Sequence, residues 1–140
     1  MASYPCVTLV GESGTGKSLF AHHALFGDMS PYEGNSTLGV DVHILIGNGG
    51  RKYVVRDTGG KYRGCDPSCW LRNADLVVRF ERSDSARGHE IYEQELRQVN
   101  RTRSQMVPKL APIRCIVVRD FEPSVRCVQR VLSRIEENIP

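Results

Sequence analysis

Two hydrophobic periods alternate along the chain. Cys6-Val7-Thr8-Leu9-Val10 is a short apolar run that stops at Gly11, the pattern of a strand buried on both faces. From Ser18 to Phe26 the apolar residues Leu19, Phe20, Ala24 and Leu25 follow helical spacing, and Gly27 stands where a helix would end. Val40, Val42, Ile44 and Ile46 then alternate with Asp41, His43 and Leu45, which is strand periodicity. The turn Gly47-Asn48-Gly49-Gly50 leads into Tyr53-Val54-Val55, so these two strands read as an antiparallel hairpin. A further strand is expected over Asp75-Leu76-Val77-Val78-Arg79-Phe80, and another over Ile113-Arg114-Cys115-Ile116-Val117-Val118. Between them, Ile91, Tyr92, Leu96 and Val99 fall near one face of a helix spanning Glu90 to Arg101. Ser124 is a plausible N-cap for a last helix carrying Val125, Val128, Val131, Leu132 and Ile135 at helical spacing. Strands alternating with helices imply an α/β fold: a mostly parallel sheet of about five strands with one antiparallel edge hairpin strand and helices on both faces.

At 140 residues the chain suits one domain, and no repeat or linker-like stretch divides it, so residues 1–140 are read as a single unit. Hydrophobic residues at 40% and charged residues at 25% are ordinary for a globular protein and argue against disorder. No apolar run approaches the roughly 18 residues of a membrane span. The start Met1-Ala2-Ser3-Tyr4 does not read as a secretory signal, nor the end Glu137-Asn138-Ile139-Pro140 as a prenylation site, so a cytoplasmic protein without a direct lipid anchor is expected. Five scattered cysteines fit reduced thiols in that compartment, and Cys65-Asp66-Pro67-Ser68-Cys69 lacks a second pair at zinc-site spacing, so it reads as a loop. The net charge of +3 is spread along the chain without a basic run, which speaks for a solvated surface and against nucleic acid as a partner.

One segment carries chemistry. Gly11-Glu12-Ser13-Gly14-Thr15-Gly16-Lys17-Ser18 fits G-x-x-x-x-G-K-[ST] at every fixed position, with an apolar strand before it and an amphipathic helix after it. Glycines let the backbone curl so that N–H groups point at phosphate oxygens, and the helix beginning near Lys17 adds its positive end. Lys17 would reach the β- and γ-phosphates, and the Ser18 hydroxyl would ligate Mg²⁺. A second motif, Asp57-Thr58-Gly59-Gly60, closes the hairpin where Asp57 could reach that Mg²⁺ through water. Thr37 stands between the first helix and the hairpin, where its hydroxyl could close over the metal.

With these motifs the chain resembles the Ras-like small GTPases, and the Rab branch most of all. The resemblance lies in residues 11–18, in Ser36-Thr37-Leu38-Gly39-Val40-Asp41, in Asp57-Thr58-Gly59-Gly60 and in Arg72-Asn73-Ala74-Asp75, and covers about the first 120 residues. It implies a P-loop NTPase three-layer sandwich and a GTP-dependent switch. Glu12, Ser13, Gly14, Thr15, Gly16, Lys17 and Ser18 would hold the phosphates, with Tyr32 folding over them. Ser18, Thr37 and Asp57 would hold Mg²⁺, and Gly60 would sense the γ-phosphate. Lys17, Gly60 and Lys61 would form the catalytic set. Effector or regulator proteins would meet the switch regions near 32–41 and 57–72.

Three departures from the family pattern change what is expected. Lys61 stands where the family has its catalytic glutamine; a protonated lysine has donors only and cannot orient water as glutamine does, so hydrolysis should be very slow. Arg119-Asp120-Phe121-Glu122 replaces N-K-x-D, leaving Asp120 or Glu122 to accept the guanine N–H groups and Phe121 to stack on the base, or all of them to form an ordinary strand-to-helix turn. The segment after the fifth strand is long enough for one helix, so the sixth strand of the family is missing. The fifth strand would be a sheet edge, open to cover by the last helix or to a homodimer. Two other readings stay open: a pseudo-GTPase interaction module that binds nucleotide without cycling, and an ATP-dependent P-loop kinase. Among lesser candidates, Arg63 could act as an internal arginine, Met29 or Phe26 could flank the base, and Trp70 with Leu71 could form an effector patch.

Overall fold

The computed structural model describes residues 4–11, 15–26, 40–47, 49–58, 71, 73–84 and 89–139. Among the described residues, five strands and three helices follow one another as β1 (Cys6–Val10), α1 (Lys17–Phe26), β2 (Val40–Ile46), β3 (Lys52–Thr58), β4 (Leu76–Glu81), α2 (His89–Ser104), β5 (Arg114–Arg119) and α3 (Val125–Asn138). The strands form one sheet in the order β2-β3-β1-β4-β5. β1 runs parallel to β3 and to β4, and β4 parallel to β5, whereas β2 pairs antiparallel with β3 from Val40↔Thr58 to Ile46↔Lys52.

The apolar alternation explains the two layers around the sheet. Val7, Leu9, Val55, Val78 and Val118 turn to one face, where Phe20 of α1 and Val128, Leu132 and Ile135 of α3 cover them. Val10 and Val77 turn to the other, against Tyr92 and Val99 of α2. Central β1 and β4 are covered on both sides, hence their continuous apolar runs. Among the described residues, β5 lies at one edge of the sheet and β2 at the other.

Boundaries moved where side chains reach beyond their own element. α1 begins at Lys17, one residue before the expected start, and α2 extends to Ser104. β4 begins at Leu76 because Asp75 is used otherwise: its carboxylate accepts the Cys6 N–H at 2.7 Å and its own N–H donates to the Cys6 carbonyl at 2.7 Å. Ser124 caps α3 as the sequence suggests, its hydroxyl accepting the Cys127 N–H at 3.1 Å. Among the described residues no helix is long and apolar enough to cross a membrane.

Candidate functional site

The carboxyl ends of β1 and β3 lie side by side in register, with Leu9 opposite Asp57. The chain leaves β1 through Gly11 at φ +148, where a Cβ would sit 2.4 Å from the Phe80 carbonyl oxygen. Only glycine lets the backbone pass β4 this closely. It enters α1 through Gly16 at φ +96, where a Cβ would come within 2.9 Å of the Phe121 ring. The Gly16 carbonyl then accepts the Phe20 N–H at 2.8 Å, in the first turn of α1.

This turn delivers Lys17 and Ser18 to Asp57. The Ser18 hydroxyl donates to Asp57 Oδ2 at 2.6 Å, and Lys17 Nζ lies 3.7 Å from Asp57 Oδ1. Both charged side chains are deeply buried, Lys17 at 5% exposure and Asp57 at 2%. β3 is pinned at this point by Thr58, whose hydroxyl donates to the Leu9 carbonyl at 2.8 Å. Burial holds the Lys17 ammonium below its usual range, and the neighbouring Asp57 carboxylate pulls it partly back. A helix N-terminus is an unfavourable place for a buried cation, so the sequence keeps Lys17 there against local electrostatics. Such an ammonium is poised for an anion with more negative charge than one carboxylate carries.

The donor chemistry also fits a hard divalent cation. Ser18 and Asp57 present a hydroxyl and a carboxylate together, and Mg²⁺ commonly takes one or two protein oxygens while keeping several waters. Among the described residues no group of three or more His, Cys, Asp or Glu side chains gathers as an all-protein cage, a kind of site Mg²⁺ does not need. Thr15 is buried beside Gly11. Glu12, Ser13, Gly14, Met29, Tyr32, Thr37, Gly59, Gly60, Lys61, Arg63, Cys65, Cys69 and Trp70 lie outside the described residues, as does the side chain of Phe26.

At the β5 end the expected base contacts divide. Asp120 occupies a left-handed conformation at φ 52. Its Oδ1 accepts the Ser83 N–H at 2.9 Å, its Oδ2 accepts the Ser83 hydroxyl, and its N–H donates to the Glu81 carbonyl at 2.9 Å. These hydrogen bonds from Ser83 hold the Asp120 carboxyl below its usual range. Its carboxylate therefore ties the loop after β4 to the loop after β5. Glu122 is exposed on the same loop. Phe121 differs from expectation: its ring is 8% exposed and stacks edge-on against Phe20 and Phe80, at 5.8 and 5.9 Å. It is a core residue beneath Gly16, because burying an aromatic ring among two others is worth more than presenting it at a loop.

Two contributions went unread in the sequence. The Tyr92 hydroxyl of α2 donates to the Gly11 carbonyl at 3.4 Å, bracing the start of the glycine-rich turn; periodicity marks Tyr92 as core and gives no hint of this bond. Beside it, Glu81 is buried between two arginines, taking Arg119 Nη2 at 2.7 Å and Arg79 Nε at 3.5 Å, and Arg79 continues to Glu93 of α2 at 3.7 Å. A charged pair inside an otherwise apolar strand was the available signal.

No protein-family model matches the chain. The arrangement of Lys17, Ser18 and Asp57 therefore carries the functional argument by its own chemistry.

Proposed function

We propose that the protein is a Mg²⁺-dependent nucleotide-binding switch of the Rab-like small GTPase type, with P-loop architecture and slow GTP hydrolysis. The observation that carries this reading is the convergence of Lys17 and Ser18 on the Asp57 carboxylate at the carboxyl edge of a mostly parallel sheet. Ligands of open α/β sheets bind at that edge, and anions favour helix N-termini. The ion pair of Lys17 and Asp57 is long at 3.7 Å, so the ammonium can exchange its single carboxylate for phosphate oxygens without breaking a tight bidentate contact.

In this reading Lys17 neutralises charge on the terminal phosphates, and Ser18 and Asp57 hold the metal. Bound Mg²⁺ supplies charge neutralisation at the phosphates. Gly11 and Gly16 keep the backbone close enough for main-chain N–H groups to serve as donors. Guanine enters through the resemblance; with Asp120 committed to Ser83, Glu122 is the carboxylate that accepts the base. Lys61 in place of glutamine makes release of the γ-phosphate slow, and the switch long-lived.

Equilibrium titration with GDP, GTP, ATP and GMP, with and without Mg²⁺, tests the reading. The expected result is Mg²⁺-dependent binding of GDP and GTP, lost in Lys17→Ala. Absence of binding to every nucleoside triphosphate refutes it, and equal affinity for ATP removes the guanine part. Lys61→Gln should raise single-turnover GTP hydrolysis by at least about tenfold. Partner binding that ignores whether GDP or a non-hydrolysable GTP analogue is present turns the reading into a non-cycling interaction module.

A further inference from the structure

The two edges of the sheet are treated very differently. β5 is guarded. Arg114 and Arg119 are exposed at its two ends, so antiparallel pairing of β5 with its own copy would set arginine opposite arginine. The Val117 carbonyl already accepts from Arg134 of α3 at 2.7 Å. At the start of the strand, Asn100 of α2 brackets the main chain of Ile113, accepting its N–H at 2.7 Å and donating to its carbonyl at 3.2 Å.

β2 carries none of these devices. It is seven residues long, contains neither lysine nor proline, and no side chain among the described residues clamps its backbone at 42–46. Its outer face presents Val42, Ile44 and Ile46 at 60%, 55% and 65% exposure, a row of β-branched side chains in water. Long, flat, apolar edges of this kind template pairing with another strand, and natural sheets normally block them.

We infer that β2 is the self-association edge of this protein, pairing antiparallel with β2 of a second copy about a two-fold axis at Ile44. The strand is self-complementary in that register. Ile44 meets Ile44 of the partner, Val42 meets Ile46 and Ile46 meets Val42, so one apolar row of six side chains crosses the axis. On the opposite face His43 meets Leu45. No like charges face each other on the paired strands. Cationic residues on the same sheet face, Lys52 and Arg56, belong to β3, where they stand opposite Ile46 and Val42. In the dimer the two β3 strands lie three strand spacings apart, about 14 Å, beyond the roughly 8–10 Å screening length at physiological salt. Their repulsion is screened, and each cross-strand contact on this face joins two β-branched side chains, which a polar strand would not supply. The product is a continuous ten-stranded sheet. With pairing confined to one strand each, the contact is at the small end of specific interfaces, so association should be weak and concentration-dependent.

Sedimentation equilibrium of the full chain, ligand-free and nucleotide-loaded, tests this. The wild type should move from monomer to dimer mass as concentration rises. Ile44→Lys places two ammonium groups across the axis and removes apolar burial twice, so it should weaken dimerisation by at least about tenfold. Because Ile44 is exposed in the monomer, its circular dichroism and thermal midpoint should not change. Arg114→Glu, on the opposite edge, should leave the dimer intact. Ile44→Cys should form a covalent dimer with a short bis-maleimide, above the background given by the native cysteines. A wild type still monomeric at about 1 mM overturns the inference. So does an Ile44→Lys variant that dimerises like wild type, or a dimer abolished by Arg114→Glu and not by Ile44→Lys.

Discussion

Replacing Asp57 by asparagine separates the electrostatics of the candidate site from its shape. The side chain keeps its size and can still accept the Ser18 hydroxyl, but Lys17 is left at 5% exposure with no countercharge at 3.7 Å. Removing one partner of a buried pair costs about 3–5 kcal/mol, and the long separation here places the expectation near the lower end, about 3 kcal/mol. For a domain of this size that is a loss of roughly 10 °C in thermal midpoint. The pH dependence has a definite sign. Burial sets the Lys17 pKa in the folded state below its ordinary 10.5, so the unfolded chain binds more protons in the window between the two values. Stability from this group is fully present above 10.5 and is lost as pH falls through the folded value. In Asp57→Asn the carboxylate that pulls Lys17 back up is gone, so the window opens at lower pH than in the wild type and the variant should regain stability as pH rises towards 10.5. Urea unfolding of ligand-free protein between neutral and alkaline pH reads this directly. The double variant Lys17→Met/Asp57→Asn has no buried charge at the site and should recover to within about 1 kcal/mol of wild type at neutral pH. A single variant as stable as wild type, or a double variant weaker than the single one, would refute the reasoning.

Other positions carry independent expectations. Gly11→Ala forces a side chain into the left-handed region and against the Phe80 carbonyl, and should cost about 3 kcal/mol or more by urea unfolding, before any effect on ligand binding. Glu81→Gln removes the buried carboxylate shared by Arg79 and Arg119 and should cost about 3 kcal/mol, again measured by urea midpoint. Ser124→Ala should cost about 1 kcal/mol through loss of the α3 cap alone, with nucleotide binding unchanged.

How much the sequence foretold follows from the range of the forces involved. Strands and helices with a single clear period, such as β2 and α3, were legible because burying one face is a local pattern. Lys17, Ser18 and Asp57 were legible as a set because the glycine-rich spacing leaves few chemical alternatives. Phe121 was not. Whether an aromatic after a strand turns outward or inward depends on what else fills the core, here Phe20 and Phe80, which are distant in sequence. The hydrogen bonds of Asp120 were equally out of reach: their donor, Ser83, lies on another loop, and no periodicity links the two.

Two charge clusters lie at the same edge of the sheet, one buried and one in which exposed Arg119 reaches buried Glu81 and Arg79. Lys17 and Asp57 sit at the carboxyl ends of β1 and β3, and Arg79, Glu81 and Arg119 at the carboxyl ends of β4 and β5. Stability alone argues against either placement, since apolar residues of equal volume would serve the core as well or better. The two clusters are joined mechanically. Gly11 runs against the Phe80 carbonyl, one residue before Glu81, and the Glu81 carbonyl in turn holds the Asp120 N–H. Static contacts thus run from Gly11 past β4 to the loop carrying Asp120 and Glu122. The Glu81→Gln variant measures that connection: if the β4–β5 cluster positions this loop, it should weaken discrimination between guanine and adenine nucleotides more than it weakens phosphate affinity. An equal loss for all nucleotides would reduce the cluster to a support for the fold.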